Sequence, residues 1–407
     1  MISKTNKFLY AILSVSLMIG LYYGEDSSGS GGSINDFIST WPLIENPFNF
    51  DCGCEMKFPL HYFIASSIYH IAGSELFLRI IFCLVAIFVP YLFYRCLRIK
   101  YPTLNKNNLF LFSLILLILP TFRSAAIWPN THLTGTIFFL ASIFFFLKWE
   151  TEQKFKSINR NLFLTIIFLS LTVYTRQMYA IIFLYFVLIY FQKLKFNTFI
   201  KTCFIIFSLS VPGILFVSQY PIILTGTFDS SLNNSLLVNS SIMAFYLIPF
   251  YLIIFIDDKK KINLMNIKNL IFFMGSIILV ITLAQSFDYN FKMGGGYFLK
   301  LSILMFNSFT LFYLTSIAGF FLLYLLAREK PNNTILILML LFAFSARILF
   351  PKYFEPMLIF LLFFIFKTKL SEVFLEKKKN IMIYSIYLLF YLISGITNHA
   401  LNITKSL

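Results

Sequence analysis

Residues 109–119 read LFLFSLILLIL, residues 137–147 read IFFLASIFFFL and residues 357–366 read MLIFLLFFIF, all without a single charge. Across the 407 residues, 59% are hydrophobic and only 12% are charged, whereas soluble proteins average roughly 25% charged residues. No stretch is left over for a soluble domain of ordinary size. The sequence therefore predicts an all-α, polytopic integral membrane protein, with residues 1–407 forming a single transmembrane domain.

The apolar segments set the number of helices. A transmembrane helix needs about 20 apolar residues, or fewer when it is tilted, so the apolar runs predict about thirteen transmembrane helices. The predicted helices lie near residues 7–23, 76–94, 108–122, 133–149, 161–175, 177–192, 200–219, 237–256, 268–286, 302–326, 334–350, 356–366 and 381–397.

The positive charges predict the orientation of the chain. Most of the 33 Lys and Arg residues fall in alternate connections, such as residues 95–106, 148–160 and 367–379. Because cytoplasmic loops collect Lys and Arg, this pattern predicts a multi-pass protein with a cytoplasmic N-terminus. We expect it in the bacterial cytoplasmic (inner) membrane. The net charge of +16 follows from this topology, so we expect membrane lipids and no nucleic acid as partners.

Residues 24–75 form the predicted first extracytoplasmic loop. The loop begins with Gly24-Glu25-Asp26, immediately after the first apolar helix. It carries six of the 17 acidic residues: Glu25, Asp26, Asp36, Glu45, Asp51 and Glu55. Since Asp and Glu contribute little to topology, this concentration predicts chemistry on the outer face. Residues 59–72 are too short to span a bilayer, so they are predicted to form a juxtamembrane helix in the interface.

Several motifs follow the acidic pair in a fixed order. Residues 57–62 read KFPLHY and residues 73–79 read GSELFLR. Further along the chain, residues 123–132 read RSAAIWPNTH, residues 174–177 read YTRQ and residues 351–356 read PKYFEP. This order resembles the membrane glycosyltransferases of the GT-C superfamily that use polyprenyl-phosphate sugars, including protein mannosyltransferases and lipid A aminoarabinose transferases. The chain differs in having Glu-Asp for Asp-Glu, Phe58 for a Pro and Lys352 for an Arg.

The resemblance implies a glycosyltransferase that moves one sugar from a lipid-linked donor to a glycan, lipid or protein acceptor. Such a transfer needs a base to take the proton of the acceptor hydroxyl, and a carboxylate serves this purpose. Asp26 is the first candidate because it adjoins the membrane boundary, where the lipid phosphate must lie. Asp36 is the second candidate, and Glu25 is predicted to orient the base.

The departing phosphate needs fixed cations, which Arg supplies as a fork and Lys as a point charge. An Arg within a membrane span is costly enough to indicate a functional or paired role, and Arg176 and Arg347 are the main examples. The predicted substrate- or phosphate-binding residues are Lys57, His61, Arg123, Arg176, Arg347, Lys352 and Tyr353.

No His or Cys spacing indicates a metal site, so no cofactor is expected; a divalent metal is compatible with the sequence but not indicated by it. Two other functions stay open at this point. An O-antigen or capsule polymerase also joins lipid-linked glycans, but a large late outer loop is expected there. A transporter or lipid flippase predicts broken helices and charged sites near helix midpoints.

Overall fold

The computed structural model describes residues 2–28, 32–52, 57–152, 157–221, 232–257, 266–290, 294–343 and 348–406, and no strand occurs among these residues. Eight of the described helices are long and apolar enough to cross a membrane, or nine if one bent pair counts as a single span. The prediction of an all-helical fold is confirmed for the described residues, and the long apolar helices are consistent with a membrane protein. The predicted number of about thirteen spans is not confirmed, because several apolar helices are shorter than 18 residues.

The chain divides into two compact units. Unit 1 comprises Met1–Leu224 and Leu388–Leu407, and unit 2 comprises Thr225–Tyr387. The predicted single domain of residues 1–407 stays a prediction.

Unit 1 is a bundle of apolar helices with short amphipathic helices between the first two long ones. Its described helices are α1 (Lys4–Tyr22), α2 (Ser33–Ser39), α3 (Trp41–Glu45), α4 (Leu60–Ala72), α5 (Glu75–Lys100), α6 (Lys106–Ser113), α7 (Pro120–Ile127), α8 (Thr131–Glu152), α9 (Arg160–Thr175), α10 (Tyr179–Lys193) and α11 (Phe196–Gln219). A 3₁₀ turn, Leu114–Ile118, connects α6 to α7.

Unit 2 has a similar apolar composition. Its described helices are α12 (Leu232–Asp257), α13 (Ile267–Ala284), α14 (Gly296–Phe306), α15 (Thr310–Ala327), α16 (Pro331–Ala343), α17 (Met357–Phe360) and α18 (Leu370–Glu376). The last helix, α19 (Lys378–Ser406), belongs to unit 2 up to Tyr387 and to unit 1 from Leu388.

Two predicted helices are broken in the structure. The span predicted at 108–122 bends by 61° between Ile118 and Pro120. Pro120 lacks an amide hydrogen and restricts the preceding residue, and Leu119 is accordingly extended. The span predicted at 302–326 is interrupted by Asn307, whose left-handed backbone, with φ at 46°, ends α14. These two predictions of continuous helices were wrong.

A helix, α4, is present where residues 59–72 predicted one, and its place in the membrane interface stays a prediction. His61 and Tyr62 are both buried inside unit 1. Both lie in the first turn of α4, next to each other, and their rings are in edge-to-face contact. One face of α4 therefore packs in the core of unit 1.

Candidate functional site

An ion pair connects the first loop to α7. Both carboxylate oxygens of Glu25 accept hydrogen bonds from Arg123, at 2.9 Å from Nε and 2.7 Å from Nη2. Arg123 also donates to Ser16 and to the carbonyl oxygen of Leu117. Only 8% of Glu25 and 3% of Arg123 are exposed. Glu25 was predicted to orient the base and Arg123 to bind substrate or phosphate. In the structure the two side chains form one bidentate ion pair.

Asp26 lies beside this pair and holds the start of α2. Its Oδ1 accepts from the backbone and hydroxyl of Ser28, at 3.1 and 2.6 Å, and its Oδ2 accepts from the backbone of Ile34 at 2.9 Å. Asp26 is 3% exposed. A carboxylate offers about four acceptor positions, so these three hydrogen bonds leave one for another donor. Asp36 lies within α2 itself and is partly exposed.

Trp128 covers the acidic pair from the α7–α8 connection. Its indole Nε1 donates to the backbone oxygen of Glu25 at 3.1 Å, and the guanidinium carbon of Arg79 lies 3.6 Å from its ring centre. Phe37 of α2 packs against the same indole, with ring centres 5.7 Å apart. Sequence reasoning placed Arg79 only in a family motif. Trp128, which follows α7, could have indicated this stacking, because the face of a Trp ring attracts an Arg side chain.

The last helix also reaches the acidic pair. A Cβ placed on Gly395 of α19 would lie 2.3 Å from the carbonyl oxygen of Ser27. Any side chain at Gly395 would therefore push α19 away from the segment that carries Glu25 and Asp26. This approach of α19 to the first loop was not predictable from the sequence, because the contact depends on the absence of a side chain at Gly395.

Polar residues line the first turns of α8. Asn130 accepts a hydrogen bond from the backbone of His132 at 2.9 Å and so caps the helix. Nδ1 of His61 lies 2.8 Å from Oγ1 of Thr134, and His61 is fully buried. Burial lowers the pKa of His61 to about 3, and a hydrogen bond to the backbone of Pro129 opposes this shift. His61 is therefore a neutral imidazole whose Nδ1 contacts α8, and its predicted role in substrate binding stays a prediction.

Arg176 reaches the same end of α8. It stands in the extended break between α9 and α10 and is 4% exposed. Its Nη1 contacts the ring of His132, two residues before Thr134, the contact of His61. Glu75 lies one helical turn from Arg79 and pairs with it at 3.4 Å. Lys57 is partly buried and directly precedes Phe58.

The remaining predicted residues belong to unit 2. Lys352 is 7% exposed, with Nζ 4.7 Å from the ring centre of Phe350. Tyr353 ends the 3₁₀ turn Pro351–Tyr353 and is partly buried. Close by in sequence, the buried Glu355 accepts a hydrogen bond from the hydroxyl of Tyr246 at 2.6 Å. Arg347 lies outside the described residues.

Unit 1 therefore gathers Glu25, Asp26, His61, Arg123 and Arg176 around residues 120–136. In this unit the carboxylate of Asp26 has one remaining acceptor position, and the guanidinium of Arg176 is buried at the end of α9. Among the described residues, no group of three His, Cys, Asp or Glu side chains is placed to hold a metal ion. Comparison of the chain with protein-family models, with curated proteins and with solved structures finds no match.

Proposed function

We propose that this protein is an integral-membrane glycosyltransferase of GT-C type. It transfers a sugar from a polyprenyl-phosphate donor to a glycan, lipid or protein acceptor on the extracytoplasmic face of the bacterial inner membrane. The observation that carries the proposal is the position of Asp26, which is fixed by three hydrogen bonds next to the Glu25–Arg123 pair. An oriented carboxylate beside fixed cations is what an acceptor hydroxyl and a departing phosphate require.

In this proposal Asp26 takes the proton of the acceptor hydroxyl. The oxygen of that hydroxyl attacks the anomeric carbon of the sugar, and the bond from that carbon to the phosphate oxygen breaks. Glu25 does not act on the substrate, because both of its oxygens are bound by Arg123. Glu25 and Arg123 instead fix the backbone on which Asp26 stands. Asp26 is buried, so the first loop must move when an acceptor binds.

Arg176 is the proposed contact for the donor phosphate. It lies at a break between two apolar helices and is buried, so that break must open for a lipid phosphate to reach it. The Arg176 guanidinium contacts the ring of His132, and its fork suits phosphate oxygens. Lys57 stands near the same end of α9, because the next residue, Phe58, contacts Tyr174 with ring centres 5.9 Å apart.

The test is donor consumption by the purified protein in lipid nanodiscs. A panel of polyprenyl-phosphate sugars is supplied, and loss of each donor is followed by mass spectrometry with and without candidate acceptors. Asp26→Asn is expected to lower the transfer rate by roughly 100-fold or more, which is the usual contribution of a general base. Asp51→Asn makes the same change at an exposed site of the same loop and should transfer at the wild-type rate.

Thermal unfolding of both variants shows whether any loss of activity reflects lost structure, since Asp26 also holds α2. A folded Asp26→Asn variant with full transfer activity contradicts the assignment of the base. Consumption of no donor in the panel by the wild-type protein contradicts the proposed function.

One observation favours a transporter or flippase as a second candidate. The break between Ile118 and Pro120 brings a buried ion pair to an interrupted helix, as transporters that bind ions at broken helices do. The same donors separate the two functions. A flippase moves the intact donor across a proteoliposome membrane, whereas a transferase consumes it.

A further inference from the structure

The two residues that flank Asp26 are bound to the same helix, α7. Glu25 is held by Arg123, and the backbone amide of Ser27 donates to Oγ of Ser124 at 2.8 Å. The hydroxyl of Ser27 also lies 3.1 Å from Oγ of Ser124, and Ser27 is buried. Because both neighbours are attached to α7, the backbone of Asp26 is fixed in unit 1.

The carboxylate of Asp26 is occupied by the start of α2. The backbone amide of Ile34, the second residue of this helix, donates to Oδ2 of Asp26 at 2.9 Å. Amides in the first turn of a helix have no partner within the helix, and Gly32 has no side chain with which to cap them. Asp26 therefore supplies the cap of α2. Ser28 binds the other oxygen, Oδ1, through its backbone and its hydroxyl.

Gly32 allows α2 to come this close to the carboxylate. A Cβ placed on Gly32 would lie 2.2 Å from Oδ2 of Asp26 and 2.8 Å from its Cγ, whereas carbon atoms in favourable contact are about 3.5 to 4.0 Å apart. The backbone angles of Gly32, φ −64° and ψ −178°, are open to other residues. The carboxylate of Asp26 thus excludes a side chain at this position, and the backbone conformation does not.

The helix α2 has few attachments of its own. It is seven residues long, and its buried residues are Ser33 and Phe37. The ring of Phe37 packs against Trp128 and Trp41, with ring centres 5.7 and 5.3 Å apart, whereas 60% of Ile38 is exposed. A helix this short is not stable in isolation, and a segment with few buried apolar contacts opens at low cost in free energy.

The next helix, α3, is held more firmly. Leu43 and Ile44 of α3 are fully buried. Nε2 of His70 in α4 lies 3.0 Å from the backbone oxygen of Glu45, at the end of α3. The weakly attached segment is therefore α2, which lies between two fixed points, Asp26 and α3.

We propose that α2 is an autoinhibitory latch, whose N-terminus covers the carboxylate of Asp26 and must detach before an acceptor hydroxyl can reach Oδ2. The inference rests on the proposed function for the role of Asp26 as the base. It adds which segment moves and which atom that segment covers. Gly32 and Ile34 lie on Oδ2 in the latched state, so α2 competes with the acceptor.

The test measures the reaction of Asp26 with a water-soluble carbodiimide and an amine, so it needs no sugar and no transfer activity. The full-length protein in nanodiscs is treated, and the modified carboxylates are identified by mass spectrometry. Asp26 should react roughly tenfold more slowly than Asp51, which is exposed in the same loop. Gly32→Ala places a methyl group against Oδ2, so reaction at Asp26 should rise about fivefold. Gly275→Ala is the control, because nothing lies within 4 Å of that Cβ position, and it should react as the wild type does.

A disulfide provides the opposite perturbation. The hydroxyl oxygens of Ser28 and Ser33 lie 3.4 Å apart, so a cysteine pair at these positions needs only a small shift to form a disulfide. When Ser28→Cys is combined with Ser33→Cys, oxidation holds the start of α2 beside Asp26. Reaction at Asp26 should then be about tenfold slower than in the reduced form of the same variant. The wild type treated with the same reductant is the control, because Cys52 is itself disulfide-bonded, and its reaction at Asp26 should not change.

Three results would overturn the proposal. The first is an equal rate of reaction at Asp26 in the oxidised and reduced forms of the cysteine pair. The second is a Gly32→Ala variant in which Asp26 reacts no faster than in the wild type. The third is an Asp26 in the wild type that reacts as fast as Asp51.

The transfer assay gives a separate result. A competing latch lowers the apparent affinity for the acceptor, so Gly32→Ala should lower the KM for the acceptor about threefold and leave kcat unchanged. Faster carbodiimide reaction in Gly32→Ala without consumption of any donor would keep the latch and reject the glycosyltransferase. Donor consumption at equal rates by the oxidised and reduced cysteine pair would do the reverse.

Discussion

Replacing Glu25 with Gln should separate the structural role of the first-loop acids from their proposed chemistry. The change keeps the shape of the side chain and removes its charge, which leaves Arg123 buried against a neutral amide. Removing one partner of a buried ion pair typically costs about 3 to 5 kcal/mol. Arg123 keeps its hydrogen bonds to Ser16 and Leu117, so we expect the low end, about 3 kcal/mol.

The exposed pair in the same unit supplies the control. Glu75 pairs with Arg79 at 3.4 Å, and 47% of the Glu75 side chain is accessible to solvent. Exposed pairs contribute about 0 to 1 kcal/mol, so Glu75→Gln should lower the free energy of unfolding by less than about 1 kcal/mol. The two variants carry the same substitution and differ in the burial of the pair.

The assay is unfolding of the detergent-solubilised protein, followed by intrinsic fluorescence during heating. The entropy of unfolding is about 2.1 cal/mol/K per residue, so for the 407 residues of this chain a loss of about 3 kcal/mol should lower the Tm of Glu25→Gln by about 3 to 4 °C. Arg123→Met should be at least as damaging. The double variant should be destabilised by about 2 kcal/mol less than the sum of the two single variants, because the residues are in contact. A Tm for Glu25→Gln no lower than that of Glu75→Gln, or strict additivity in the double variant, would refute the reasoning.

Two further predictions concern stability. Burial lowers the pKa of His61 to about 3, below its value of about 6.5 in the unfolded chain. The contribution of neutral His61 to the free energy of unfolding is therefore complete above pH 6.5 and falls as the pH drops towards 3. At pH 5 the free energy of unfolding should be lower by about 2 kcal/mol. Unfolding measured at pH 8 and pH 5 should show this loss in the wild type and a smaller one in His61→Gln, and equal losses would contradict it. In unit 2, a Cβ at Gly319 of α15 would lie 2.2 Å from the carbonyl oxygen of Ser240 in α12, so Gly319→Leu should separate the two helices and lower the free energy of unfolding by about 3 kcal/mol or more. Gly275→Leu is the control, because nothing lies within 4 Å of its Cβ position; similar Tm values for the two variants would show that the close contact is unimportant.

The sequence was a good guide to the helices and a poorer guide to where they end. Apolar runs predict a helix because the pattern is local, and α8 and α11 lie close to the predicted ranges. The break at Pro120 carried a local signal, since proline disfavours the helix interior. Asn307 carried no local signal that distinguishes it from other Asn residues of the chain, yet its backbone is left-handed and ends α14.

The sequence indicates which residues belong to the candidate site, but it does not indicate which residues they contact. Charged and polar residues in an apolar chain are few, so Glu25, Arg123 and Arg176 are conspicuous. Their partners are set by packing between segments that are distant in sequence: Arg123 binds Glu25, and Arg176 meets His132. The contact of Tyr174 with α11 was not predictable either, because its hydroxyl inserts between the backbone groups of Leu209 and Gly213 in a helix that is distant in sequence.

The contacts around Glu25 also fix an order of events during synthesis. Arg123 is 98 residues further along the chain than Glu25, and at about 5 to 20 residues per second the ribosome needs roughly 5 to 20 s to reach it. Gly395, which packs on Ser27, is translated later still. The first loop therefore reaches its final packing only after α19 has been made, and nascent chains that stop before α19 should present it to proteases.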